Sequence, residues 1–182
     1  MPRLFTGLEI PTNLANDLAM LQSGLPGARW VDPGDFHITL AFLGDVSRDT
    51  ANEAHHLLSR LDKPELDLRI VGLDTWGSKR TTSVFARVAS DRALSELQAA
   101  HVSILRRLGV PQEKRRFQPH VTVARTGRCE AKDLARFMGR AAGYMSEAFT
   151  ATRFLLYSAR DSVGGGPYVA EQSYALRERQ AA

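Results

Sequence analysis

Two short segments repeat a pattern of residues that can carry out acid–base chemistry. Residues 37–40 read His-Ile-Thr-Leu, and residues 120–123 read His-Val-Thr-Val. Side chains alternate between faces in an extended strand, so each His shares a face with its Thr, roughly 6.6 Å away along the strand. The apolar pair then lies on the opposite face, toward a core. Two such strands facing each other would offer two imidazoles and two hydroxyls to one cleft.

Chance does not account for this repetition. A chain with 5 His and 11 Thr in 182 residues would contain about 0.3 His-x-Thr triplets by random placement, and about 0.06 with apolar residues at both flanking positions. One alternative is that both strands are buried and that each His only satisfies a hydrogen bond in the core. That alternative leaves the repetition unexplained.

Two imidazoles in one cleft suit concerted proton transfer, because histidine titrates near neutral pH. Cleavage of a phosphodiester or hydrolysis of a cyclic phosphate needs one group that deprotonates water and another that protonates the departing sugar oxygen. The hydroxyls of Thr39 and Thr122 could donate to the non-bridging oxygens, where negative charge concentrates in the transition state. This scheme requires no metal, and no other cofactor is expected. Neither His37 nor His120 has Asp or Glu ligands at helical spacing.

Composition limits the class of protein. A chain of 182 residues fits one domain, or two small lobes that share a core. The net charge of +4 and the pI of about 9.6 are consistent with an anionic partner such as RNA, although the excess of Arg over Lys also fits a GC-rich genome. Cys129 is the single cysteine, which excludes an internal disulfide. The sequence shows no membrane span and no secretory hydrophobic region, and we expect a cytoplasmic protein.

The elements that would position the two tetrads follow a similar order in both halves, in which a His-x-Thr strand precedes a helix and then a pair of strands. Strands are predicted at 3–10, 29–32, 36–43, 66–76, 82–89, 116–125, 149–158 and 168–176. Helices are predicted from Thr12, a candidate N-cap, and at 48–61, 91–108 and 130–142. Residues 177–182 are predicted to fray. The pattern indicates an α+β protein with two pseudo-equivalent lobes and the motif strands at their interface.

The segments around the tetrads are specific enough to resemble a known family. Residues 29–44, RWVDPGDFHITLAFLG, and residues 116–125, RFQPHVTVAR, resemble the two-histidine (2H) phosphoesterases. Among these they are most similar to the bacterial RNA 2′,3′-cyclic phosphodiesterases, which are also called LigT-like 2′-5′ RNA ligases. The resemblance implies one bilobal domain over residues 1–182, with mostly antiparallel sheets lining a central cleft and helices outside.

The resemblance also implies an activity and roles for individual residues. It implies hydrolysis of a 2′,3′-cyclic phosphate to a 2′-phosphate, with His37 as the proton donor and His120 as the proton acceptor. Thr39 and Thr122 would hold the phosphate. Arg125 resembles the arginine that follows the family's second motif and would neutralise phosphate charge. Simple alternation points Arg125 away from His120, so this role needs a strand end or a bulge; otherwise Arg125 is an exposed strand terminus.

Aromatic and cationic residues near the motifs leave further alternatives open. Phe5, Trp30 and Phe117 could stack a nucleobase if they border the cleft, or they could belong to the core. Alternation places Phe42 on the core face with Ile38. Three other cations could guide RNA phosphates or could simply be solvated: Arg115, Arg116 and Arg128.

Three functions are compatible with these residues. The first is a metal-independent phosphodiesterase that acts on RNA ends or nucleotides bearing a 2′,3′-cyclic phosphate. The second is an ATP-independent 2′-5′ RNA ligase or 2′-5′ phosphodiesterase. The third is a non-catalytic RNA-binding module, which would gain little from two titrating imidazoles. A monomer suffices for each, and no membrane partner is expected.

Overall fold

Ten strands and four α-helices make up the described part of the chain in the computed structural model, which comprises residues 3–78, 81–127, 129–159 and 167–179. The strands are β1 (Arg3–Glu9), β2 (Ala28–Trp30), β3 (His37–Gly44), β4 (Leu66–Leu68), β5 (Ile70–Ser78), β6 (Thr81–Val88), β7 (His120–Thr126), β8 (Phe149–Ala151), β9 (Arg153–Ala159) and β10 (Tyr168–Ala175). The α-helices are α1 (Thr12–Ala19), α2 (Arg48–Leu58), α3 (Arg92–Arg107) and α4 (Ala131–Arg140), and Pro33–Asp35 forms one turn of 3-10 helix.

The two motif strands, β3 and β7, are neighbours at the centre of the main sheet. The strand order is β10-β9-β1-β3-β7-β6-β5, and β2 pairs with the remaining part of β7. Neighbouring strands along this path are antiparallel. One residue pair, Ile38 with Val121, joins β3 to β7. The sheet therefore has two halves, each with one motif strand at the line where they meet, in agreement with the predicted α+β arrangement.

The apolar residues of the motif strands bury one face of the sheet under helices. Ile38, Leu40, Val121 and Val123 belong to one core cluster with apolar residues of α1, α2 and α3. A second cluster places Phe137 of α4 against residues of β5, β6 and β7. The tetrads thus divide as alternation predicts, with their apolar residues toward the helices and their His and Thr on the other face.

Each motif strand contains a β-bulge at the same place. In β3, Thr39 pairs with Gly7 and Ala41 with Thr6, so Leu40 is the extra residue. In β7, Thr122 pairs with Phe85 and Ala124 with Val84, so Val123 is the extra residue. Two consecutive residues are buried at each bulge, and the alternation of faces shifts by one beyond it.

The structure corrects several predicted strand boundaries. The strand predicted at 66–76 is two strands, because β4 leaves the main sheet and pairs with β8. The strand predicted at 149–158 is divided for the same reason, into β8 and β9. The second motif strand begins at His120 rather than at residue 116, since Pro119 has no N–H with which to continue a ladder.

Two terminal predictions also need correction. Thr12 is the first residue of α1 and not its cap, and Pro11 occupies the N-cap position without a side-chain hydrogen bond. The expected fraying does not hold for residues 177–179. The Arg177 backbone bonds with Lys63 and Glu65, and the Arg179 guanidinium donates to Asp67 at 2.9 Å. Residues 180–182 lie outside the described part of the chain.

Candidate active site

Both His–Thr pairs open into one cavity of about 430 Å³ on the face of the sheet opposite the helical core. The cavity lies over the line where β3 meets β7. Its lining includes the predicted acid–base and phosphate-binding residues together with three aromatic side chains. They are His37, Thr39, His120, Thr122, Arg125, Phe5, Phe42 and Tyr168.

The register of the two central strands interleaves the histidines with the threonines. Because Ile38 pairs with Val121 in antiparallel strands, His37 lies across from Thr122 and Thr39 lies across from His120. An approximate twofold axis therefore passes through the Ile38–Val121 pair. An anion on this axis would have an imidazole and a hydroxyl on each side.

Backbone carbonyls hold both imidazole rings in the same way. The Nδ1 atom of His37 lies 2.8 Å from the Asp35 carbonyl oxygen, and the Nδ1 atom of His120 lies 2.8 Å from the Gln118 carbonyl oxygen. A carbonyl only accepts, so each Nδ1 carries the hydrogen and donates it. The Nε2 atom of each ring is then the one that can exchange a proton.

Aromatic side chains fix the orientation of each ring. His37 lies between Phe5, at 4.8 Å between ring centroids, and Tyr168, at 5.0 Å in an edge-on arrangement. Its Nε2 atom is 3.1 Å from the Thr39 hydroxyl. On the other side of the axis, His120 meets Trp76 edge-on at 4.4 Å. The imidazoles are thus held by packing as well as by hydrogen bonds.

Gly7 on β1 allows β1 to approach β3 closely beside His37. A Cβ atom at Gly7 would lie 2.9 Å from the Ile38 carbonyl oxygen and 3.6 Å from the His37 ring. Real Cβ atoms do not approach a backbone oxygen so closely. A residue without a side chain is therefore required where β1 passes the first motif strand.

Burial and positive charge favour the neutral form of both histidines. The pKa of His37 is lowered to about 4, chiefly by burial and also by the charges of His120 and Arg125, against the opposing effect of the hydrogen bond to Asp35. The pKa of His120 is also lowered, first by burial and then by Arg125. A bound phosphate would offset both effects, since a nearby anion raises the pKa of an imidazole.

The bulges bring Arg125 and Phe42 to equivalent positions at opposite ends of the cavity. Each residue lies five positions after its motif histidine and past the extra bulge residue. The bulge that Arg125 requires to reach the face of His120 is therefore present. Phe42, for which alternation predicts a place in the core, is instead 58% exposed and lines the cavity. Arg125 thus marks one end of the site. The other end, here called the aromatic end, carries the Phe42 ring together with the ion pair between Arg3 and Asp45.

The neighbouring strands extend this difference between the two ends. Phe5 pairs with Phe42 across β1 and β3, and their rings lie 5.9 Å apart. At the equivalent place in the other half, Ser83 pairs with Arg125. The site is thus symmetric in its His and Thr residues and asymmetric in the residues at its two ends.

Several candidates from the sequence do not line this cavity. Trp30 packs against Phe137, at 5.8 Å between ring centroids. Phe117 and Arg115 border a different cavity. Arg116 is exposed and lines neither cavity, and Arg128 lies outside the described part of the chain.

Sequence reasoning did not select Tyr168 or Trp76. The Tyr168 backbone N–H donates to the Asp35 carboxylate at 2.9 Å, which ties β10 to the turn before His37. Each aromatic residue lies on a strand with no motif, so only the pairing of distant strands brings it to the site. In the described part of the chain, no three His, Cys, Asp or Glu side chains lie close enough together to hold a metal ion.

Comparison with known proteins agrees with this geometry. A relative from Geobacillus stearothermophilus, named RNA 2′,3′-cyclic phosphodiesterase, is 36% identical over 113 residues; the match covers 60% of this chain but 36% of that protein, so the chain spans about a third of its length. The Escherichia coli protein of the same name is 25% identical over 97% of both chains. The crystal structure of E. coli LigT complexed with 3′-AMP has a TM-score of 0.77 and 24% identity, covers 96% of this chain and 98% of that one, and shows the same fold.

The family assignment rests on a match to most of the chain. The model of the LigT-like phosphoesterases matches residues 8–86 and 88–168, which include both tetrads. Each matched segment contains one tetrad, but neither coincides with one half of the sheet, because β5 and β6 lie on the β7 side and β9 lies on the β3 side. This chain therefore belongs to the LigT-like phosphoesterase family.

Proposed function

We propose that this protein hydrolyses 2′,3′-cyclic phosphates at RNA ends or on nucleotides, leaving a 2′-phosphate. The observation that carries the proposal is the opening of both His–Thr pairs and Arg125 into one cavity. The names of its relatives support the choice of substrate. The acid, the base and the phosphate-binding groups that this reaction needs are all supplied by side chains of this one chain.

The phosphate is proposed to lie between the two strands, near the approximate twofold axis. There the Thr39 and Thr122 hydroxyls can donate to its non-bridging oxygens, and Arg125 can neutralise their charge. In the free site the Thr39 hydroxyl donates to Nε2 of neutral His37 at 3.1 Å. Protonation of His37, which its proposed role as the acid requires, frees the hydroxyl hydrogen of Thr39 for the phosphate.

The asymmetry of the cavity supports a position for the nucleobase, which stacks best at the aromatic end, on the exposed face of Phe42. His37 is the proposed acid and protonates O3′ as the P–O3′ bond breaks. His120 accepts a proton from the water whose oxygen forms the new bond to phosphorus. The water supplies the hydroxyl of the product phosphate, and O2′ keeps its bond to phosphorus.

The test uses 2′,3′-cyclic AMP with EDTA present, and 2′-AMP is resolved from 3′-AMP. The wild-type protein should form 2′-AMP. His37→Ala and His120→Ala should each lose at least about 10²-fold in kcat, because each removes one proton-transfer group. His56→Ala, which removes an exposed histidine from α2, serves as the matched control and should keep full activity.

The outcome of this test also separates catalysis from binding alone. A non-catalytic RNA-binding module would form neither isomer, and its affinity for nucleotides would be similar in all three variants. Formation of 3′-AMP, or full activity in both motif variants, would refute the proposed mechanism.

We further propose that the protein acts as a monomer in the cytoplasm on RNA ends. Both catalytic strands come from one chain, so no second copy is needed to complete the site. No helix in the described part of the chain has the length and apolar character needed to cross a membrane. Light scattering should give a mass near 20.1 kDa, and cell fractionation should place the protein with cytoplasmic RNA.

A further inference from the structure

A second cavity with a strongly basic lining lies along α3, outside the proposed catalytic site. Its volume is about 520 Å³, and it lies between α3 and the segment that leads into β7. Ser103, Arg106 and Arg107 come from the last turns of α3, at a spacing that places them along one side of the helix. The facing wall contains Glu113, Lys114, Arg115 and Phe117.

The charges of this groove are largely unneutralised. Arg115 pairs with Glu113 at 2.8 Å, which removes the one carboxylate of the lining. No ion pair in the described part of the chain involves Arg106, Arg107 or Lys114. Arg106 and Arg107 lie in the last turn of α3, where the negative end of the helix dipole favours a cation. Lys114 lies on a loop, where no helix dipole explains it.

One hydrogen bond joins the segment that forms the groove to the strand that carries Phe42. The Gln112 side chain, next to Glu113, donates to the Phe42 backbone carbonyl oxygen at 2.9 Å. Phe117, on the wall of the groove, lies three residues before His120, and its ring packs against the main core rather than into the catalytic cavity. The groove thus lies next to the end where the nucleoside is proposed to bind. An RNA strand that extends in the 5′ direction from that nucleoside would leave the catalytic cavity past Phe42.

We infer that this basic groove binds the sugar–phosphate backbone of single-stranded RNA upstream of the terminal cyclic phosphate. The inference rests on the proposed function and specifies its substrate as an oligonucleotide rather than a mononucleotide. Cations along a groove bind successive phosphates without reading bases. The groove therefore adds affinity that depends on length and on salt, while the chemistry remains in the other cavity.

The test compares two substrates in one charge-reversal variant. Arg106→Glu/Lys114→Glu should reduce kcat/KM for a six-nucleotide RNA with a 2′,3′-cyclic phosphate end by at least about fivefold at low salt, through KM. The slope of log(kcat/KM) against log[salt] should decrease in magnitude by about 1.4, because two phosphate contacts on a single strand are lost. Hydrolysis of 2′,3′-cyclic AMP, which cannot reach the groove, should be unchanged.

Two further variants control for charge and for folding. Arg60→Glu/Arg69→Glu makes the same change of net charge at exposed positions outside both cavities, and it should leave both substrates unaffected. Lys114→Glu alone leaves the end of α3 intact, and it should give a smaller loss of the same kind. An equal loss on the hexamer in the Arg60/Arg69 variant, or none in the groove variants, would overturn the inference.

A failure of the proposed function can be distinguished from a failure of the inference about the groove. If the wild-type protein does not hydrolyse 2′,3′-cyclic AMP, the proposed reaction is wrong. The groove can then still be tested by fluorescence anisotropy with a hexamer that carries a 3′-phosphate. Weaker, less salt-dependent binding by the groove variants supports the inference, and unchanged binding refutes it.

Discussion

At the scale of single residues, the two histidines differ in their surroundings although their motifs match. His37 lies among Phe5, Tyr157 and Tyr168, whereas His120 lies beside Trp76 and Phe85. Both have a lowered pKa, and Arg125 contributes to both shifts. Arg125, which we propose binds the phosphate, is therefore also a cause of the low proton affinity of the free site.

The pH dependence of kcat/KM should show these shifts. The proposed mechanism needs one imidazole protonated and the other neutral in the free protein. The pKa of His37 is about 4, and that of His120 is below its ordinary value of 6.5. A bell-shaped profile is expected, with its maximum below pH 6.5 and a fall toward pH 8. Arg125→Ala removes a cation, so both pKa values and the alkaline limb should move to higher pH. A flat profile from pH 5 to 8 would contradict two coupled imidazoles.

Phe42 offers a separate test of the aromatic end. Phe42→Ala removes a stacking surface worth about 1–3 kcal/mol per base, so KM for 2′,3′-cyclic AMP should rise at least about fivefold with little change in kcat. The side chain is 58% exposed, so the fold should tolerate the change. Phe42→Tyr keeps the ring and should keep the wild-type KM. Equal values of KM in the Ala and Tyr variants would place the base elsewhere.

At the scale of elements, strand alternation predicts the site up to the bulges and fails beyond them. It places His37 with Thr39 and Ile38 with the core correctly, but it assigns Phe42 to the core. No glycine or proline marks the extra residues Leu40 and Val123, so the phase shift is visible only in the pairing with β1 and β6. Likewise, one alternating pattern of buried residues continues across the break between β4 and β5, at Leu66, Leu68 and Ile70. Only the pairing of β4 with β8 reveals the break.

The close approach of β1 to β3 can be tested with a matched pair of glycine substitutions. Gly7→Ala places a Cβ against the Ile38 carbonyl oxygen. Relief requires a backbone shift, so a loss of about 1–3 kcal/mol in unfolding free energy is expected, with reduced activity as His37 moves. Gly139→Ala, in α4 with open space around it, should instead be neutral or stabilise by up to about 1 kcal/mol. Denaturant midpoints measure both, and equal midpoints would show that β1 has room to move.

At the scale of the whole molecule, the repeated tetrads predict the two-part architecture, but the burial of individual polar groups follows only from packing. His101 is an ordinary helix residue by its sequence context, yet it is fully buried against Phe154. Its Nδ1 donates to the Leu97 carbonyl oxygen, and its Nε2 has no partner in the described part of the chain. Burial lowers its pKa to about 4. His101 therefore binds a proton less readily in the folded state than in the unfolded chain.

This burial predicts a loss of stability in acid. Between pH 6.5 and about 4 the unfolded chain binds a proton at His101 that the folded chain does not, so unfolding free energy falls by about 1.4 kcal/mol per pH unit. His101→Leu removes this contribution. When the pH is lowered from 7 to 5, the unfolding free energy of the variant relative to that of the wild type should rise by about 2 kcal/mol. This corresponds to a rise of about 4–8 °C in relative Tm. His56→Ala should show no such gain, and a pH-independent difference for His101→Leu would contradict the assignment.

The unequal ends of the cleft have a consequence for how the duplicated scaffold works. Rotation by half a turn about the Ile38–Val121 pair exchanges the two histidines and the two threonines, so the reacting groups do not themselves distinguish one orientation of a nucleotide from the other. In the proposed mechanism Phe42 and Arg125 make that distinction, because they occupy equivalent positions at opposite ends of the cavity. A protein in which these two residues were exchanged would therefore be expected to hold its substrate turned end for end and to give the same product, with His120 protonating the leaving oxygen and His37 activating water.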